Sequence, residues 1–194
     1  MNTKICKWAA GTYDAYIDYH NREWGVPVHE DKTHFEFLVL EGAQAGLSWR
    51  TILNKRAGYR DAFKNFDVLE ISKFSEATMN SLMDNPFIVR NKLKIASVIN
   101  NAKAFLNIQN EFHDFDHYVW GFVDHEPITG HWTDSAQVPS ENKISQKLSQ
   151  DLKKRGFKFV GSTIMYAYMQ AVGMVNDHTT DCYRYLEINR LKNS

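Results

Sequence analysis

One pattern constrains this chain more than any other. Apolar residues recur every three to four positions along most of its length, and two-residue alternation is nearly absent. The clearest stretch holds Ile95, Val98, Ile99, Ala102, Phe105 and Leu106, spaced as one face of an α-helix. Lys94, Asn101 and Lys103 fall on the opposite face. Val, Ile and Thr rarely alternate with polar residues in the manner of a half-buried strand. Only four prolines interrupt 194 residues. The pattern predicts an almost entirely helical, all-α chain.

Further helices follow from local signals. One is expected from about Lys32 to Ala45, with Phe35, Leu38 and Val39 inward. Gly46 breaks it, and Ser48 is placed to cap the next helix, which carries Trp49, Ile52 and Leu53. Shorter helices fit Ser75 to Met83 and Asp116 to Val123. Another should start near Ser140, after Pro139, stack Ile144, Leu148 and Leu152, and stop at Gly156 behind Lys153, Lys154 and Arg155. Glu126 to Val138 reads as loop. With no repeat, low-complexity tract or linker, residues 1–194 read as a single domain.

Composition narrows the class. The 43% hydrophobic and 24% charged content suits a globular protein with a real core. Lys plus Arg equals Asp plus Glu at 23 each, so bulk charge does not mark a nucleic-acid binder, although phosphate contacts depend on where charges lie. No stretch approaches the roughly 20 apolar residues of a membrane span, and no signal-peptide core opens the chain. The expected location is cytoplasmic, and the expected state is a monomer. Two cysteines, Cys6 and Cys182, lie near opposite ends.

The chemistry concentrates in a few segments. Leu40-Glu41-Gly42-Ala43-Gln44-Ala45-Gly46-Leu47-Ser48-Trp49 sets one acid between apolar helix and a Gly/Ala/Gly segment. Upstream, Tyr16-Ile17-Asp18-Tyr19-His20 is followed by Glu23-Trp24-Gly25. Aromatic planes plus one acid are what a purine pocket needs, faces to stack on and an acceptor for an amine. These stretches resemble the DNA-3-methyladenine glycosylase I family of base-excision repair enzymes. So do Lys154-Arg155-Gly156-Phe157-Lys158-Phe159-Val160-Gly161 and Asn176-Asp177-His178 with Cys182. The matches run from Cys6 to Cys182.

The resemblance implies a helix-hairpin-helix glycosylase-like domain and gives the segments roles. Glu41 becomes the base-recognition carboxylate and catalytic residue, and Trp49 the stacking plane, with Tyr16, Tyr19 and Trp8 lining the pocket. Methylation at ring nitrogen three makes adenine a cation, which favours an acid and an electron-rich indole. Cys6, His20, His178 and Cys182 match the family's ligands for a structural zinc, a closed set that would clip the N- and C-termini together. Spacing alone reads instead as two buried free cysteines. If helical, His178 and Cys182 stand one turn apart. His29, His34, His113, His117, His125 and His131 are taken as surface or satisfied polar residues.

For alkylated double-stranded DNA, the expected partner, the matching hairpin is Asn85-Pro86-Phe87-Ile88-Val89-Arg90-Asn91-Lys92-Leu93-Lys94. It lacks the superfamily's glycine, which shifts weight to Arg90, Lys92 and Lys94 as DNA contacts, with solvated charges as the alternative. Gly46 and Leu47 are expected to enter the space left by the flipped base; burial of Leu47 in the core is the other reading. Lys153, Lys154, Arg155 and Lys158 form a second basic cluster beside Gly161-Ser162-Thr163, where a helix start could hold phosphate or Ser162 could simply be a cap.

The expected activity is monofunctional hydrolysis of the N-glycosidic bond of 3-methyladenine in alkylated DNA, leaving an abasic site. The alternative is a catalytically silent, zinc-stabilised module that binds DNA or base. A zinc hydrolase would need an open metal position, which a Cys2His2 set lacks.

Overall fold

The computed structural model describes residues 4–191. Its helices are α1 (Asp14–Arg22), α2 (Asp31–Gln44), α3 (Trp49–Ala62), α4 (Val68–Ser72), α5 (Glu76–Met83), α6 (Lys92–Phe112), α7 (Phe115–Trp120), α8 (Lys143–Lys154), α9 (Ser162–Ala171) and α10 (Tyr183–Leu191). Helix α2 is the axis. Every residue from His34 to Ala43 is buried, and α3, α6, α7 and α9 pack around it. A helix surrounded on all sides carries no polar stripe, which is why the segment around Glu41 reads as continuously apolar.

The expected helices form, with shifted ends. Ser48 caps α3 by accepting from the Thr51 amide, and Ser75 caps α5 by accepting from Thr78. Helix α8 begins later than Ser140: Asn142 is its N-cap, in a reciprocal capping box with Ser145. It stops at Gly156, whose φ is +91°. The stretch Asp116 to Val123 divides into α7 and a 3-10 turn, Gly121–Val123.

Two local expectations change. The chain is mostly helical, as expected, but β1 (Ile128–Thr129) and β2 (Val175–Asn176) form a short parallel ladder. A two-residue strand leaves no alternation to detect, and β1 lies inside the segment read as loop. Asn101, expected on an outer face, is buried. Its side chain accepts from the Lys158 amide at 2.8 Å and donates to the Lys158 carbonyl at 2.9 Å, so one amide group holds the turn after α8 from both sides.

Helix α5, a tight turn and the start of α6 form a protruding hairpin. No residue of that turn has a positive φ, so it needs no glycine of its own. Asn85 instead accepts from the Phe87 amide at 2.8 Å in an Asx turn. The required glycine sits opposite, in α3: a Cβ on Gly58 would lie 2.4 Å from the Phe87 carbonyl oxygen.

No helix among the described residues is long and apolar enough to cross a membrane.

Candidate active site

A cavity of about 410 Å³ opens where α1, α2, α3 and α9 converge. Helix α2 contributes Glu41 and Gln44, and Trp49 enters from the first residue of α3. Helix α1 adds Tyr16 and Tyr19, and the N-terminal turn adds Trp8. The rings interlock: Tyr19 lies 5.3 Å from Trp49, and Trp8 meets Tyr16 edge-on at 5.3 Å and Trp24 at 5.0 Å. All five pocket residues expected from the sequence therefore meet in one place.

Glu41 is 4% exposed and has no hydrogen-bond or ion-pair partner among the described residues. Burial pushes its carboxyl up to about 8, because a desolvated carboxylate without donors favours its neutral form. Two further buried polar atoms of the lining are unpartnered, Trp49 Nε1 and Ser135 Oγ. Buried polar groups normally find partners, and three left without one on residues of a single cavity wall single that cavity out.

Several lining residues carried no sequence signal for the pocket. Ser135, Val138, Pro139 and Ser140 form the wall opposite α2, and Thr163, Tyr166, Ala167 and Gln170 come from α9. Asp177 is the second acid. Its oxygens accept from Trp132 Nε1 at 2.7 Å, the Tyr166 hydroxyl at 2.7 Å and Gln170 Nε2 at 2.9 Å. Its position between Asn176 and His178 in a segment already singled out was the one available hint. Among the described residues no lysine or arginine lines the cavity, and its carboxyl groups are those of Glu41 and Asp177.

Behind the aromatic wall lie Cys6, His20, His178 and Cys182. All four are buried, with ligand atoms within 4.8 Å of one another. Cys6 Sγ is 3.5 Å from His178 Nδ1, while Cys182 Sγ is 3.6 Å from His20 Nε2 and 3.6 Å from His178 Nδ1. Tetrahedral zinc with these donors requires ligand–ligand separations of about 3.3–3.8 Å. Both histidines are oriented from behind, as metal ligands are: His20 Nδ1 by Asn21 Oδ1 at 2.7 Å, and His178 Nε2 by the Trp24 carbonyl at 3.0 Å. The residues fit a zinc ion with no position left open. Both cysteines are free, and accepting a hydrogen bond from Cys6 holds the Cys182 thiol far below its ordinary range. His178 and Cys182 are not on a helix; they occupy the turn between β2 and α10.

None of the residues expected at DNA lines the cavity. Leu47 is 41% exposed, which removes the core reading for it. Gly46, with φ +76°, shapes the turn beneath it. Arg90 and Lys92 are exposed on the hairpin without ion-pair partners. Lys94 differs, since its ammonium group is engaged by backbone carbonyls of the Gly46 turn. In the second basic cluster, Arg155 is committed to Asp151 at 2.6 Å and Glu111 at 2.7 Å. Ser162 is not a cap: Gly161 precedes α9, and the Ser162 hydroxyl donates to Glu141. His34, expected as a satisfied polar residue, is held by the Tyr168 hydroxyl at 2.7 Å and Asp116 at 2.9 Å.

Fold and cavity define a helical protein with an acidic, aromatic-walled pocket of nucleoside size. The sequence model of the methyladenine glycosylase family matches residues 8–185, and the chain belongs to that family. It is 43% identical over 180 residues to a DNA-3-methyladenine glycosylase of Haemophilus influenzae, covering 93% of this chain and 97% of that one. It is also 43% identical over 180 residues to DNA-3-methyladenine glycosylase 1 of Escherichia coli, covering 93% and 96%. A solved structure of 3-methyladenine DNA glycosylase I from Staphylococcus aureus, described for its recognition of 3-methyladenine, superposes with a TM-score of 0.90. Identity there is 31%, over 95% of this chain and 98% of that one.

Proposed function

We propose that this protein is a DNA-3-methyladenine glycosylase, hydrolysing the bond between deoxyribose and 3-methyladenine in alkylated duplex DNA and leaving an abasic site. One observation carries the reading. Glu41 is a buried, unpartnered acid facing a cavity with aromatic walls and no cationic side chain. Such a pocket disfavours any anionic ligand and favours a flat cation that donates hydrogen bonds. In duplex DNA, a base methylated at ring nitrogen three has that character.

The roles follow from position. Trp49 and the rings of Trp8, Tyr16 and Tyr19 stack on the extruded base, and Glu41 accepts from its amino edge. A cation over an indole gains roughly 0.5–2 kcal/mol, the larger value when water is excluded. The charged base is its own leaving group. Water attacks the sugar carbon, the glycosidic electron pair returns to the ring and discharges it, and the remaining water proton leaves to solvent. Glu41 stabilises the cationic ring until that discharge. With no lysine at the cavity among the described residues, we expect a monofunctional enzyme, and borohydride should trap no adduct.

The hairpin between α5 and α6 serves as the superfamily's helix-hairpin-helix element. Arg90 and Lys92 contact phosphate, while Gly46 and Leu47 occupy the gap left in the stack. Cys6, His20, His178 and Cys182 would hold a zinc ion with no chemical role; it would tie the N-terminal turn to the segment before α10 and, through Trp24 packed on His178, support the rear of the pocket. Residues 1–194 act as one domain and as a monomer.

Release of free 3-methyladenine from methylated duplex DNA tests the reading, with Glu41→Gln assayed beside the native protein. We expect release by the native chain and a loss of about 100-fold or more in the variant. No release from folded, zinc-loaded native protein would overturn the enzyme reading and leave a silent base-binding module.

A further inference from the structure

Helix α2 ends in a turn that stands between two pocket residues, Glu41 before it and Trp49 after it. Ala45 has φ −44° and ψ 115°, Gly46 has φ +76°, and the Leu47 amide donates to the Gln44 carbonyl at 2.6 Å. This is a type II turn with its glycine at the obligatory position. It leaves the carbonyls at the end of α2 without helical partners.

Two carbonyls here, those of Ala43 and Ala45, are taken by Lys94, from the first turn of α6. Its Nζ donates to the Ala43 carbonyl at 2.8 Å and to the Ala45 carbonyl at 2.6 Å. A cation at the C-terminus of α2 also meets the negative end of that helix's dipole. The Lys94 amide is itself capped by Asn91 Oδ1 at 3.1 Å, so the side chain leaves a fixed point at the end of the hairpin. Arg90 and Lys92, four and two residues earlier, remain exposed.

From this geometry we propose that Lys94 is a positioning residue linking the hairpin to the Gly46-Leu47 turn, holding Leu47 at the height required to enter the duplex. The inference rests on the reading of Leu47 as the residue that fills the stack. Lys94 touches neither the cavity nor the base. Its ammonium group transfers the hairpin's position, set by phosphate, to the turn that must enter as the base leaves. A lysine expected at phosphate thus acts on the protein's own backbone.

A double-mutant cycle tests this, using Lys94→Met, Leu47→Ala and the combination, with Lys94→Arg as the conservative control. Single-turnover release is read on two duplexes, one with 3-methyladenine opposite thymine and one with it in a bulge, where extrusion is easier. Free 3-methyladenine binding is read by tryptophan fluorescence. Lys94→Met should lose about tenfold on the paired lesion, less than threefold on the bulged one, and leave free-base affinity within twofold. The double variant should be no worse than Leu47→Ala alone, and Lys94→Arg should recover most of the rate. Additive losses, equal losses on both duplexes or weakened free-base binding would overturn the proposal, because each places Lys94 in general stability or in the pocket. Native protein that released no base would instead defeat the glycosylase reading itself.

Discussion

Helix α1 serves two buried polar clusters at once. Tyr16 and Tyr19 line the cavity, while His20, the next residue, joins the Cys/His cluster. Asp177 and His178 divide in the same way at the other end of the chain. The clusters are nonetheless built to opposite rules. Each ring nitrogen of His20 and His178 has a partner within the protein, and three sulfur–nitrogen pairs of the cluster stand at 3.5–3.6 Å. The cavity keeps the Glu41 carboxyl, Trp49 Nε1 and Ser135 Oγ unpartnered. A buried polar group left unpaired costs about 1–3 kcal/mol, so the cavity weakens the fold where the cluster does not. The difference teaches where affinity is stored: in groups the folded protein declines to satisfy.

The largest test of that contrast is Glu41→Gln, whose effects on activity and stability should have opposite signs. Activity falls by the amount stated above. Stability rises, because the native carboxyl is shifted from 4.5 to about 8 by burial. The folded state then holds the proton more tightly than the unfolded chain does. The contribution of Glu41 to stability is therefore most favourable below pH 4.5 and declines as pH rises towards 8. At pH 7 the variant should gain up to about 3 kcal/mol, read as a higher urea midpoint, and the gain should vanish below pH 4.5. A variant less stable than native at pH 7 would mean that Glu41 has a partner in solution.

The opposite side of the comparison is reached through Cys182→Ala. Bound zinc measured by plasma emission should fall from one per chain to near zero, and stability should fall by about 3 kcal/mol or more, since metal binding to such a site is folding energy. Chelation of the native protein should reproduce the loss. Base release should decline by only about tenfold while the chain remains folded, because Trp24 and Trp8 pack against His178 and His20 without contributing to the metal. An unchanged denaturation curve after complete metal removal would place the cluster among inert buried cysteines.

How far this was legible in the sequence differs between elements. Helices α2, α6 and α8 carry regular apolar spacing or caps and were readable, apart from their ends. Helix α1 was not, because Tyr16, Tyr19 and His20 occupy the face that would otherwise show an apolar stripe. The five pocket residues on α1, α2, α3 and the N-terminal turn were found through motif resemblance. The segment Ser135 to Ser140 was not, since a single 3-10 turn, Ser135–Gln137, carries no apolar periodicity to mark it as a pocket wall. Asn101 and Lys94 show a further limit. Periodicity assigns polar residues to solvent, yet both bind backbone carbonyls of other segments, and nothing in the local sequence marks a long-range partner.

A smaller effect separates the two clusters by pH. A cationic base enters the cavity best when Glu41 has lost its proton, and in the free protein that carboxyl titrates near 8. Below that value binding must expel the proton, so kcat/KM on duplex DNA should rise about tenfold per pH unit from pH 6 towards 8 and level off above it. In Glu41→Gln the residual activity should lose this slope. Zinc bound at the closed Cys/His cluster should be retained across the same range, since all four side chains would be committed to the metal. A native profile flat from pH 6 to 8, measured with zinc content constant, would show that donors reach Glu41 before the base does, and the cavity would then obey the same rule as the cluster beside it.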